Sequence, residues 1–261
     1  MKVKMLAIDL DKTLLHNDEK LSQASIEVIK RYQDKGILLV IATSRSLSST
    51  RKYAEILAPD AIISSGGAEA FVGEHEVYKA LFSEEKSAEY IEKCLREPTV
   101  DYIRVVGEKV DFTNNPAIPV GEKEYGHYHR TTFEEKIRQK VSKITIYSSD
   151  RKCIEAMFQG EEECYLSPSY AGESCHKLSH ARATKEDALL YVAKHLGVRV
   201  DEIIACGDDL LDIGMLSMCG IGVAVENALS EVKAVADVVC DSNEADGVAK
   251  YLQEHYEAWL E

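Results

Sequence analysis

The run Ile37-Leu38-Leu39-Val40-Ile41-Ala42 contains no polar residue and stops abruptly at Thr43-Ser44-Arg45. An unbroken apolar run of this length is what a strand needs when helices cover both faces of its sheet, so it points to a parallel, helix-covered sheet. Val3 to Ile8 reads the same way, with Lys4 as its one break near an end, and it runs out into Asp9-Leu10-Asp11. Ala61 to Ile63 ends in Ser64-Ser65-Gly66-Gly67, Ile203 to Cys206 ends in Gly207-Asp208-Asp209-Leu210-Leu211-Asp212, and Ile221 to Val225 is one more such run.

Helical patterns separate these strands. Ser22 can cap a helix through Ile26, Ile29 and Tyr32 that Gly36 closes, and a second, about Leu47 to Leu57, stops before Pro59. Thr184, with Asp187 three residues on, opens a helix ending at Gly197, and helices of about Asp212 to Met218 and Ala245 to Leu260 complete the set. The alternation predicts an α/β chain with a Rossmann-like, mostly parallel, right-handed sheet covered by helices on both faces. Its polar strand ends gather on one edge, where such sheets bind ligands.

The texture changes from about Ser83. A charged helix to Arg96 is followed by half-polar strands at Tyr102 to Val106 and Lys109 to Thr113, then a helix of about Phe133 to Lys140. Strand Lys143 to Tyr147, helix Arg151 to Phe158 and strand Glu163 to Leu166 follow. This predicts an inserted α+β cap domain with one wet sheet face, spanning 83–177, within a catalytic core of 1–82 and 178–261.

Lys plus Arg number 31 against 45 Asp plus Glu, and the net charge of -14 argues against nonspecific binding to nucleic acid or an anionic membrane. No run reaches transmembrane length and no signal-peptide pattern precedes the first strand. The 7 cysteines form no C-x-x-C pair, which fits free thiols in a reducing cytoplasm better than disulfides or a zinc cage. The expectation is a cytoplasmic monomer or homodimer.

Asp9 and Asp11, one residue apart, can hold a divalent cation, attack an electrophile or trade a proton, or Asp9 can simply cap the next turn while Asp11 faces water. Asp208, Asp209 and Asp212 can all be helix caps, although Asp208 sits on the strand edge itself, where capping explains it poorly. Carboxylates gathered from two strands repel one another, and a divalent cation compensates; an all-oxygen set favours Mg²⁺ over zinc. Lys185 at the first position of a helix opposes the helix dipole unless a carboxylate or phosphate holds it, and Thr43 and Ser44 offer hydroxyls and N–H groups at a strand end.

Together, Asp9-Leu10-Asp11-Lys12-Thr13-Leu14-Leu15, Ile41-Ala42-Thr43-Ser44-Arg45, Lys185 and Gly207-Asp208-Asp209-Leu210-Leu211-Asp212 resemble the four ordered motifs of the haloacid dehalogenase-like superfamily. The large insert and the tail Gly222-Val223-Ala224-Val225-Glu226-Asn227-Ala228 are similar to its Cof-type branch with a class IIB α/β cap. The resemblance implies a Mg²⁺-dependent phosphatase of a small phosphorylated metabolite, with sugar phosphates the leading class. Asp9 would be the nucleophile, Asp11 the general acid and base, and Thr43 and Lys185 the phosphoryl contacts. Asp9, the Asp11 carbonyl, Asp208 and Asp212 would serve the metal, and Leu10, Ser44, Arg45, Gly66 and Gly67 would line the substrate site.

The sequence departs from the family where Ser44 replaces Gly, Gly66 replaces Asn and Leu211 replaces Asn. These departures leave a phosphate-ligand sensor on a weakened site as an alternative, beside a phosphomutase. In the insert, Tyr125 to Arg130, Ser174 to Lys177, Tyr102, Arg104 and Tyr170 are candidate leaving-group contacts, against the plainer reading of solvated loops.

Overall fold

In the computed structural model, which describes residues 2–124, 127–135, 137–167 and 174–260, the chain forms two compact units. Met1–Lys79 with Thr184–Glu261 make the first and Ala80–Ala183 the second. The first unit begins with β1 (Met5–Ile8), α1 (Gln23–Gln33), β2 (Leu38–Ala42), α2 (Leu47–Leu57), β3 (Ala61–Ser64), β4 (Glu69–Val72) and β5 (His75–Lys79). The second holds α3 (Glu84–Arg96), β6 (Val100–Gly107), β7 (Phe112–Thr113), β8 (Lys123–Glu124), β9 (Tyr128–Arg130), β10 (Val141–Ser148), α4 (Arg151–Met157), β11 (Cys164–Ser167) and β12 (Cys175–His180). The chain then returns through α5 (Lys185–Leu196), β13 (Ile203–Gly207), α6 (Ile213–Met218), β14 (Ile221–Val225), α7 (Ser230–Val235), β15 (Val238–Cys240) and α8 (Gly247–Leu260).

The first unit's sheet runs β15-β14-β13-β1-β2-β3-β4-β5 and is parallel from β15 to β3. Its central strands are apolar because both faces are covered: Met5 to Ile8, Leu39 to Ala42 and Ile203 to Cys206 are all buried. Each buried Val, Leu or Ile contributes about 1.5–3 kcal/mol, so these runs anchor the core. Side-chain caps start the helices, with Ser22 Oγ accepting Ser25 N–H at 3.0 Å and Thr184 Oγ1 accepting Asp187 N–H at 3.2 Å. The order reverses direction at β1, since β2 and β3 extend to one side while β13 and β14 extend to the other. That reversal is the switch point where α/β sheets bind ligands.

The second unit carries a sheet ordered β11-β12-β10-β6-β7-β9-β8. Tyr90, Ile91 and Cys94 of α3 and Ile154 of α4 pack with Ile103, Val105, Ile144, Ile146 and Leu178 of the strands. Residues alternating with these make a polar cluster, in which Tyr102 stacks on Tyr147 with centroids 4.1 Å apart. Arg104 donates to both Glu124 oxygens at 2.8 and 2.6 Å and to the Tyr147 hydroxyl.

Several elements differ from the sequence reading. The units divide after Lys79 and Ala183 rather than after 82 and 177, because Phe82 belongs to the second unit's core and Cys175–His180 is a strand of its sheet. The helix expected at Phe133 to Lys140 is irregular chain in its described residues. There Phe133 and Ile137 pack on the core, Phe133 takes φ 58°, and the Gln139 side chain bonds Lys109 N–H, Val110 N–H and Val110 C=O. Those bonds also hold Lys109 and Val110 in a loop, leaving only Phe112–Thr113 of the strand expected there. The antiparallel β4–β5 hairpin, which extends the parallel sheet beyond β3, has no counterpart among the sequence expectations. Tyr125, Gly126 and Tyr170 lie outside the described residues.

Candidate active site

β1 and β13 lie side by side with Ile8 opposite Cys206, and Asp9 N–H donates to the Cys206 carbonyl at 3.0 Å. Asp9 and Asp208 therefore leave adjacent strands at the same edge. Beyond Asp9 the chain makes a tight turn over Leu10–Leu14, closed by Leu15 N–H to Leu10 C=O at 2.8 Å, with Lys12 in the left-handed region at φ 60°. The turn brings Thr13 back to the strand end, where its hydroxyl donates to Asp208 Oδ1 at 2.8 Å. Asn227 Nδ2 donates to the Lys12 carbonyl at 2.7 Å and ties the same turn to the loop after β14.

Capping does not account for Asp9, whose side chain makes no cap bond to the turn. Its Oδ1 instead accepts from Lys185 Nζ at 2.6 Å, and the same ammonium donates to Asp212 Oδ1 at 2.6 Å. Lys185 is 1% exposed, Asp9 5%, Asp208 6% and Asp212 0%. Asp212 also caps, since its Oδ2 accepts Asp208 N–H and Asp209 N–H at 3.0 Å each. It reaches them because residue 207 is glycine: a Cβ there would lie 2.5 Å from Asp212 Cβ and Cγ. Asp209 is accounted for by capping, with its Oδ1 accepting Leu210 N–H at 2.5 Å.

One carboxylate oxygen each of Asp9, Asp208 and Asp212 lies within 4.8 Å of the others, close enough for the three to hold one metal ion. With all three ionised, one lysine leaves a net charge of two negative units in a buried, all-oxygen donor set, which fits a hard divalent cation. The titration behaviour reflects the same crowding. Burial drives the Asp9 carboxyl well above its usual range, opposed by Lys185 and reinforced by Asp212 and Asp208. Asp208 is pushed up to about 7, by burial first and the Asp212 charge second, with the Thr13 bond opposing. Burial works against the Lys185 ammonium, but the Asp212 and Asp9 charges outweigh it and hold the lysine protonated.

A sequence model of haloacid dehalogenase-like hydrolases matches residues 6–252, nearly the whole chain. The chain belongs to this hydrolase family. It is 26% identical over 255 residues to the 5-amino-6-(5-phospho-D-ribitylamino)uracil phosphatase YcsE of Bacillus subtilis (strain 168), covering 96% of this chain and 95% of that one. It is 27% identical over 250 residues to the phosphoglycolate phosphatase of Methanopyrus kandleri, covering 95% of each chain. Among solved structures, BT1666 from Bacteroides thetaiotaomicron, described as one of the phosphatases of the superfamily, superposes with a TM-score of 0.83 at 28% identity, covering 97% of this chain and 95% of that one.

Within this family member, the remaining sequence candidates divide. Thr43 is buried at the end of β2, and its hydroxyl accepts Arg45 N–H at 3.1 Å, which leaves its own proton available to a ligand oxygen. The Thr43 N–H, expected as a ligand donor, is instead committed to the Ile63 carbonyl at 2.9 Å across the β2–β3 pair. Ser44 is half-buried beside it, while the Leu10 side chain is buried in the core. The Gly66 and Gly67 N–H groups donate to the Thr43 and Ser64 carbonyls at 3.0 Å each, so these glycines shape the loop rather than supply ligand donors. Gly67 has φ +98°, and a Cβ there would lie 2.1 Å from the Thr184 carbonyl and 2.6 Å from Lys185 N. That loop is thus fitted against the backbone that carries the site lysine.

The Asp11 carboxylate is not in the acidic cluster; Arg45 binds both of its oxygens, at 2.8 and 2.5 Å. Two departures from the family pattern meet here, since Leu211 Cδ1 lies 3.9 Å from where a Cβ on Gly66 would stand. Sequence reasoning assigned no role to Thr13, Gly207 or Asn227. All three stand inside stretches singled out in the sequence, but only the folded geometry shows what they touch.

Proposed function

We propose that the chain is a Mg²⁺-dependent phosphatase that hydrolyses the phosphomonoester of a small metabolite, sugar phosphates being the leading class, through a phosphoryl group carried on Asp9. The observation that carries the reading is the buried Lys185 ammonium held between Asp9 and Asp212, beside Asp208, at the sheet's switch point. The named relatives act on chemically different phosphoesters, a ribitylamino-uracil phosphate and phosphoglycolate, which supports a shared phosphoryl chemistry more than any one leaving group.

In this reading the Asp9 carboxylate attacks phosphorus in line, and an Asp9 oxygen–phosphorus bond forms as the ester bond breaks. Asp11 gives its proton to the departing oxygen. Asp11, now a carboxylate, takes a proton from water, which attacks phosphorus, releases phosphate and restores Asp9. Lys185 orients Asp9 and offsets charge, and Thr43 donates its hydroxyl proton to a phosphoryl oxygen. Asp9, the Asp11 carbonyl and Asp208 would hold Mg²⁺, with Asp212 fixing the Asp208 and Asp209 backbone. When bound, the ion would supply further neutralisation of phosphoryl charge.

The test is phosphate release from a panel of sugar phosphates, nucleotides and carboxylic-acid phosphates with and without Mg²⁺. Release that needs the metal, and is absent in Asp9→Asn, supports the reading. Saturable binding without release would instead favour a sensor, and release only in the presence of a bisphosphate would favour a mutase.

A further inference from the structure

Asp11 differs from the other carboxylates of the site. Asp9, Asp208 and Asp212 are buried, whereas the Asp11 side chain is 44% exposed on the turn after β1. An exposed aspartate samples several rotamers, yet general acid catalysis needs its oxygen within about 2.6–3.2 Å of the leaving atom. Something has to hold it.

Arg45 is built to do so. Its backbone is fixed on both sides, with its N–H donating to Thr43 Oγ1 at 3.1 Å and its carbonyl accepting Ser65 N–H at 2.7 Å. The guanidinium carbon stands 5.2 Å from the Tyr53 ring centroid, and Nη2 lies 3.2 Å from Glu19 Oε1. Glu19 is itself anchored, because its carbonyl accepts the Tyr53 hydroxyl at 3.0 Å. The arginine is therefore held by Thr43 and Ser65 at its backbone and by Tyr53 and Glu19 at its side chain, and Nε and Nη2 present a fork to the two Asp11 oxygens at 2.8 and 2.5 Å.

We propose that Arg45 is a positioning residue that acts through Asp11 rather than a contact to the substrate phosphate: its anchored fork sets the plane and place of a carboxyl group whose proton, carried on a lone pair the guanidinium leaves free, goes to the leaving oxygen, and the fork then pairs with the carboxylate that remains. This rests on Asp11 being the general acid. A point charge in place of the fork would attract the carboxylate without orienting it, so lysine is not an adequate substitute.

The experiment measures kcat/KM, which reports steps up to departure of the leaving group, for the holoenzyme with Mg²⁺ on aryl phosphates ranging from p-nitrophenyl to unsubstituted phenyl phosphate. A nitrophenolate departs with little help from an acid, whereas phenolate needs it more. Arg45→Gln is expected to raise the p-nitrophenyl to phenyl ratio about 10-fold over the wild type, in step with Asp11→Asn, and Arg45→Lys is expected to follow Arg45→Gln. A fall equal across the series in Arg45→Gln, beside a steepened series in Asp11→Asn, overturns the positioning role alone and makes Arg45 a phosphate ligand. Wild-type ratios in Arg45→Lys overturn the need for the fork. A flat series in Asp11→Asn removes the general-acid reading, and this inference with it.

Discussion

Replacing Lys185 by methionine removes the charge at the centre of the site while keeping a similar length of apolar chain. At 2.6 Å from an Asp9 oxygen and an Asp212 oxygen, the ammonium attracts each carboxylate by about 6 kcal/mol at an effective dielectric near 20. Desolvating the ions opposes this by several kcal/mol each, so the intact triad is worth little over an apolar one. Removing only the lysine is different, because it leaves the carboxylates buried without their counter-charge, and such losses cost about 3–5 kcal/mol. At about 2–4 °C per kcal/mol, the metal-free variant should melt on the order of 10 °C below the wild type at pH 8. The gap should narrow toward pH 5. Asp9 and Asp208 are raised in the folded state, so each weakens the fold as pH rises through its folded value and relieves that cost by binding a proton as pH falls. Saturating Mg²⁺ should restore about 2.7 kcal/mol at 100 times its Kd. Calorimetry at pH 5 and pH 8, with and without Mg²⁺, reads all three effects. A variant within about 1 kcal/mol of the wild type at pH 8 without metal would refute the reasoning, because it would mean that the carboxylates do not depend on the ammonium for neutralisation.

Asp9→Asn should lower kcat at least about 10³-fold while leaving the melting temperature within a few degrees, since the amide oxygen can still accept from Lys185; phosphate release and calorimetry check both halves. Asp208 is raised to about 7 and a metal competes with its proton, so apparent Mg²⁺ affinity should fall about 10-fold per pH unit below that value; titration calorimetry showing a flat profile from pH 5 to 8 would count against Asp208 as a ligand. Gly67→Ala forces a Cβ to 2.1 Å from the Thr184 carbonyl at φ +98° and should cost at least about 2 kcal/mol in denaturation while lowering kcat through Lys185. Thr13→Ala loses the 2.8 Å bond to Asp208 and should destabilise the metal-free protein by about 1 kcal/mol, measured by urea titration.

Much of this was legible before folding. Strands covered on both faces must be apolar throughout, so Ile37 to Ala42 and Ile203 to Cys206 announced a parallel core, and the polar residues at their ends announced the edge that carries the candidate site. The second unit read less well because its segments carry few local signals. The stretch Phe133 to Lys140 has helix-forming residues, yet burying Phe133 and Ile137 and bonding the 108–110 loop through Gln139 outweighs that weak preference.

Sequence by itself determined the chemistry available: which strand ends bear carboxylates, that a lysine opens α5, and that no Cβ stands at residues 67 and 207. Only the tertiary structure decided how those groups are spent. Lys185 lies 176 residues from Asp9 and 27 from Asp212, and whether its charge is shared between them depends on β1 and β13 pairing in register and on the β3 loop fitting against Thr184. The donors of Gly66 and Gly67 were on offer in the sequence but are consumed by the Thr43 and Ser64 carbonyls, and Arg45 is committed to Asp11. Hydrogen bonds and ion pairs act over a few ångströms, and distances of that kind between remote residues are set by packing the whole sheet.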